Sequence, residues 1–161
     1  MANTRVDYQI FPFGDSVKNP IEEAGATKSF HNHGYRSLTL EISGDVTSIS
    51  LKVEGCINII DAAGNNLDDN QVYWIGIPLV DATTGGLVNT AEKKGIFRVD
   101  ITGLSRVRVN IASLSGKATV VGVATRYPIQ NIGGQPVPPT PVDPEAPVVD
   151  EGQVDYMVLG E

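Results

Sequence analysis

The 161-residue chain has a single cysteine, Cys56, and only two histidines, His31 and His33. One thiol cannot close an internal disulfide, so a secreted disulfide scaffold is excluded, and so is a Cys-x-x-Cys metal site. No stretch approaches the roughly 18 consecutive apolar residues that carry a helix across a bilayer, so no membrane span is expected. No cluster of Lys or Arg exceeds a pair. Non-specific binding to phosphate backbones needs a basic face, so nucleic acid is not expected as a partner. The opening Met1-Ala-Asn-Thr-Arg-Val lacks the basic-then-apolar order of a signal peptide. The chain is therefore expected to be made in a cytoplasm and kept there until assembly. No segment carries the i, i+3, i+4, i+7 pattern of an amphipathic helix.

What is present is glycine, proline and alternation. Seventeen Gly and ten Pro favour frequent turns and short strands. Residues 1–34 read as an extended, mostly irregular N-terminal arm, in which Tyr8, Ile10, Phe11 and Phe13 could form an edge strand or lie across another subunit and Pro12 and Pro20 limit regular pairing. From Tyr35 the apolar residues fall at every second position. Leu38, Leu40 and Ile42 alternate with polar residues, as do Ile49, Leu51 and Val53; Phe97, Val99 and Ile101; and Val107, Val109 and Ile111. Successive strand side chains point to opposite faces, so this is the pattern of a sheet with one wet face. Ser43-Gly-Asp and Ser113-Leu-Ser-Gly, lying between such runs, are predicted hairpin turns. Asp61-Ala-Ala-Gly-Asn-Asn and Thr83-Thr-Gly-Gly mark further turns, and Pro78 marks a strand end, an edge or a bulge. About seven strands at this spacing predict an all-β chain. Its expected form is an antiparallel β-sandwich, jelly-roll or immunoglobulin-like, over residues 35–127, with a barrel as the alternative layer solution.

The composition shifts after Tyr127-Pro. Six of the ten prolines lie in residues 135–147, a segment that favours polyproline II. Residues 128–161 are read as a Pro-rich acidic linker with a C-terminal docking peptide. At ~3.1 Å per residue, residues 135–153 could reach on the order of 60 Å. Residues 135–161 hold six acids and no Lys or Arg, which leaves 13 acids and 12 bases in residues 1–134. The net charge of −7 thus belongs mostly to this arm. Both arms carry short apolar stretches, Tyr8, Ile10, Phe11 and Phe13 at one end and Val154, Tyr156, Met157, Val158 and Leu159 at the other. These nine are the candidate partner-binding residues, since an extended segment can add a strand to a neighbour's sheet.

Reactive groups find little company. His31 and His33 could supply two metal nitrogens, but no Cys or carboxylate closely flanks them, and they are read as a turn into the first strand. Asp61, Asn65, Asn66, Asp68, Asp69 and Asn70 could offer oxygens to Ca²⁺, which takes 6–8 of them, yet their spacing is not that of the twelve-residue EF-hand loop. They are read as a polar turn. Catalysis would have to recruit one of the two histidines, and no Gly-x-Ser-x-Gly elbow or phosphate loop is present. Asp68/Asp69 and Glu22/Glu23 lie in polar loops, where nothing raises a carboxyl pKa. Cys56 is read as a small core residue. No enzymatic activity, cofactor or metal is expected. Tyr73 and Trp74 leave a carbohydrate-binding, host-surface attachment module as an alternative, because exposed aromatics on a β-sandwich stack on sugar rings.

The central 90 residues resemble β-sandwich domains that recur in virion proteins of tailed bacteriophages. The likeness lies in Tyr35-Arg-Ser-Leu-Thr-Leu-Glu-Ile-Ser-Gly and Ser50-Leu-Lys-Val-Glu-Gly. It continues in Gly95-Ile-Phe-Arg-Val-Asp-Ile-Thr-Gly-Leu-Ser-Arg-Val-Arg-Val-Asn-Ile and Ser115-Gly-Lys-Ala-Thr-Val-Val-Gly. The resemblance implies a structural protein of a phage particle, such as a capsid decoration or auxiliary protein or a head fibre, or else a tail-associated component. Its expected partners are other virion proteins (the major capsid protein, fibre or tail subunits) and further copies of itself in a homo-oligomer. Its expected location is the virion.

Overall fold

The alternation predicts which side chains go inside, and in the computed structural model, which describes residues 8–13 and 20–129, they do. Leu38, Leu40, Ile42, Ile49, Leu51, Val53, Phe97, Val99, Ile101, Val107, Val109 and Ile111 are all buried, in one core cluster. The described residues are all-β and antiparallel, and nine strands form one continuous sheet. They are β1 (Tyr8–Phe13), β2 (Gly25–Ala26), β3 (Phe30–His31), β4 (Ser37–Cys56), β5 (Ile75–Ile77), β6 (Leu79–Asp81), β7 (Leu87–Val88), β8 (Gly95–Asp100) and β9 (Arg106–Thr125).

The two predicted hairpin turns at Ser43-Gly-Asp and Ser113-Leu-Ser-Gly are not turns. Each lies inside a 20-residue strand, and the two strands, β4 and β9, pair with each other from end to end. The pairing skips one residue on each strand. Thr47 lacks a partner between Val46 and Ser48, and Ala112 lacks one opposite Ser50 and Leu51. An extra residue in one strand bends it and reverses which parity faces inward. That is why even-numbered residues of β4 are buried before Thr47 and odd-numbered ones after it. On β9 the change runs from Val107, Val109 and Ile111 to Ala118, Val120 and Ala124. Gly44 (φ 102°) and Gly116 (φ 99°) adopt backbone conformations that L side chains rarely take. A Cβ on Gly44 would stand 2.6 Å from the Lys117 carbonyl oxygen, and one on Gly116 would collide with the carbonyl oxygen of Asp45. The turn-like residues therefore build a shared corner in a two-stranded ribbon.

Beyond the corner each half of the ribbon gathers its own neighbours. The Ser37–Ile42 end of β4 pairs with β8, which pairs with β6, which pairs with β7; β1 pairs with the Val120–Thr125 end of β9. The other half holds β5 against Val53–Gly55 and β2 and β3 against β9. Both halves feed the same core cluster, the sandwich-like arrangement the sequence predicts. The open ends meet through one short loop. Ile101 N–H donates to the Arg36 carbonyl at 3.1 Å, and Ser105 N–H donates to that of Cys56 at 2.8 Å.

The lead-in departs from expectation in part: Tyr8–Phe13 is an edge strand, one of the two forms its sequence allows, but the segment does not stand apart. Its described part is not an irregular arm outside a 35–127 domain, since β1, an Ile21–Ala118 bridge, β2 and β3 run along the free side of β9. Aromatic burial accounts for this. Phe13 is buried, and Phe11 stacks on Phe30 with ring centroids 3.8 Å apart. An uncovered 20-residue strand edge would also invite pairing with other chains. Pro78, which cannot donate to a ladder, separates β5 from β6.

Candidate partner-binding surface

Strong polar side chains on the outer face of the second half are tied to one another. Glu54 Oε1 accepts from Arg108 Nε at 2.8 Å, and its Oε2 accepts from Asn110 Nδ2 at 3.2 Å. The Arg108 guanidinium lies over the Trp74 ring, 4.2 Å from its centroid, and Trp74 Nε1 donates to the Asp69 carbonyl at 2.7 Å. The Asp69 carboxylate accepts from Ser29 Oγ at 2.7 Å and from Arg106 at 3.2 Å. This chain of contacts straps the 61–74 loop and the lead-in onto β4 and β9. One face of half-buried Trp74 is thus occupied by Arg108, and the neighbouring exposed aromatic is Tyr73.

The oxygen-rich turn spends its oxygens locally. Asp61 Oδ1 accepts the N–H groups of Ala63 and Asn65, both at 2.9 Å, and these bonds hold its carboxyl below the ordinary value. Asp81 does the same for the β6–β7 turn through Thr83 N–H while pairing with Lys93 at 2.9 Å. His31 and His33 stack with ring centroids 6.1 Å apart. Among the described residues no group of three or more His, Cys, Asp or Glu is placed to hold a metal ion.

Cys56 is buried at the end of β4, and burial raises its thiol pKa, opposed in part by the hydrogen bond and charge of Arg106. A thiol kept protonated and covered is a poor nucleophile. Iodoacetamide at pH 8 is expected to label it at least about tenfold more slowly in the native protein than in denaturant. Equal rates would contradict this placement.

The candidate contact residues divide by face and by segment. On β1, Tyr8 (59% exposed) and Ile10 (57%) point out, whereas Phe11 and Phe13 pack on the core. β1 is an edge of the sheet, with β9 as its one strand partner among the described residues. Val154, Tyr156, Met157, Val158 and Leu159 lie outside the described residues.

A second apolar surface has only Tyr73 as its counterpart in the sequence reading. A cleft of about 390 Å³ opens between Gly55–Asn58, the Leu67 and Gln71–Tyr73 loop, β5 and Leu104. Three of its lining residues are large exposed apolar side chains, Ile57 (69%), Tyr73 (82%) and Ile75 (51%). Periodicity could not reveal it, because its walls come from separate segments and Leu104 sits in a turn. Besides Tyr73, the local signal is Ile57–Ile60, an apolar run that forms no strand beyond a bridge from Ile60 to Asn66.

No protein-family model matches the chain, and no curated protein matches it. Solved structures do. The SPBc2 prophage-derived protein YomS superposes with a TM-score of 0.57 at 22% identity, over 77% of this chain and 97% of YomS. The PBSX exported protein XepA superposes with a TM-score of 0.55 at 20% identity, over 73% of this chain and 37% of XepA. Both are prophage proteins. At these identities the likeness shows a shared fold, spanning nearly all of YomS and about a third of XepA.

Proposed function

We propose that this chain is a non-enzymatic, phage-associated structural protein that works by burying surface against neighbouring proteins of the particle. The observation that carries this reading is the fold shared with two prophage proteins over about three-quarters of the chain. The described surface supports it. The strong polar side chains around Trp74 are engaged in holding loops to the sheet, while exposed apolar side chains stand on the β1 edge and around the β5 cleft. Tyr8 and Ile10 on the β1 edge suit strand-to-strand contact with a neighbour, in which backbone bonds give affinity and alternate side chains give register. Within this reading the chain is a capsid decoration, head-fibre or tail-associated subunit, located on the virion. The test is sedimentation of particles from the encoding phage on a density gradient. The chain is expected to band with them; finding it only in the soluble fraction would overturn the reading.

A further inference from the structure

The cleft beside β5 is the least explained feature of the surface. Its walls are largely apolar, its rim exposes the large apolar side chains Ile57, Tyr73 and Ile75, and β5 has β4 as its one strand neighbour among the described residues. A three-residue strand with a free side next to an apolar hollow is a place where an extended peptide can pair its backbone and lower alternate side chains.

The same polypeptide carries such a peptide. In Val154-Asp-Tyr-Met-Val-Leu, a strand conformation puts Val154, Tyr156 and Val158 on one side, a wholly apolar face. A volume of about 390 Å³ suits two or three such side chains, within the range of small binding hollows. The spacer decides whose cleft the peptide reaches. Residues 135–147 with their six prolines favour polyproline II, a semi-rigid rod of about 40 Å at ~3.1 Å per residue. The chain leaves β9 at Thr125, paired with Ser37, on the end of the molecule where the 101–105 loop brings Arg36 and Cys56 together. Exit and cleft therefore share one end of the sandwich, and a semi-rigid spacer about 40 Å long is poorly suited to a return over so short a span and well suited to reaching another molecule.

We infer that the Val154–Leu159 segment of one copy docks in the Gly55–Leu104 cleft of a second copy, adding a strand to β5. The contact is head-to-tail, so it closes into a ring or continues as a chain. It names a second copy of this protein as the occupant and does not depend on the phage reading.

Sedimentation velocity of the full-length protein tests it. The wild type is expected to associate as its concentration rises. Tyr73→Asp and Ile75→Asp each break the acceptor at an exposed position, and Tyr156→Asp breaks the donor. Each alone is expected to weaken association at least about tenfold, since a carboxylate must then be buried without a partner. An equimolar mixture of Ile75→Asp with Tyr156→Asp retains one intact donor and one intact acceptor, and is expected to give dimers and nothing larger. A wild type that stays monomeric up to several hundred micromolar overturns the inference. So does a mixture that stays monomeric, or association unchanged in all three variants. Banding with particles can succeed or fail independently of these results.

Discussion

Gly116→Val is expected to cost about 2–5 kcal/mol of stability, combining about 1–2 for a left-handed L-residue with about 1–3 for overpacking. Two independent features of the position impose this cost. Its φ of 99° lies where L side chains rarely go, and a Cβ would strike the Asp45 carbonyl oxygen across the ribbon. Neither is relieved by a local shift, because Asp45 belongs to β4 and pairs with Lys117 at the same corner. Domains of this kind have about 5–15 kcal/mol in total, so urea denaturation should show the midpoint falling sharply. Ser115→Val, one residue earlier and exposed, is the control and should stay within about 0.5 kcal/mol. A Gly116→Val protein as stable as its parent would mean that the ribbon does not turn its corner as described.

Leu51→Ala is the second large effect, about 2–5 kcal/mol, the usual range for emptying a fully buried leucine site. Leu51 lies at the second irregularity of the ribbon, opposite the unpaired Ala112, has no exposed surface, and exchanges two backbone hydrogen bonds with Ala91 at 2.8 and 2.9 Å. The side chain stands where the two halves of the ribbon share one core, and fixed backbone on both sides leaves little room to collapse into the cavity. Leu51→Met conserves volume and should cost less than about 1.5 kcal/mol. Thermal and urea unfolding of the pair separate cavity from chemistry. A loss under about 1 kcal/mol for the alanine variant would show that the site relaxes freely and is not the core position described.

These two positions also mark how far the fold could be read from residues alone. Alternation is a property of single strands, so the inward set from Leu38 to Ile111 was legible. The change of parity between Ile42 and Ile49 was visible too, but a hairpin turn and a bulge leave the same local signature of Gly, Ser and Asp. Only the partner strand tells them apart. Ser43-Gly-Asp lies opposite Lys117–Thr119, next to the second signal at Ser113–Gly116, which turns two expected turns into one corner. Phe11 and Phe13 were legible as apolar, but that their partner is Phe30 of the same chain is a long-range fact. The cleft was hidden for a related reason, since Ile57, Tyr73, Ile75 and Leu104 come together only when the loops are folded over β4 and β5.

What the fold leaves on the surface bears on function. Glu54, Arg108, Trp74, Asp69 and Arg106 are joined in one strap, and the exposed apolar groups concentrate on the β1 edge and around the β5 cleft. A protein that acts by contact needs such surfaces, and their substitution should change assembly without unfolding the core.

The most direct measurement of the proposed role is the number of copies of this chain per major subunit in gradient-purified particles of a phage that encodes it, counted by quantitative mass spectrometry for the wild type and for Ile10→Asp. Contact-driven incorporation predicts a fixed ratio that survives the gradient and falls severalfold when the exposed Ile10 on the β1 edge becomes charged. A variable trace in the wild type, or a ratio unmoved by the substitution, would contradict it.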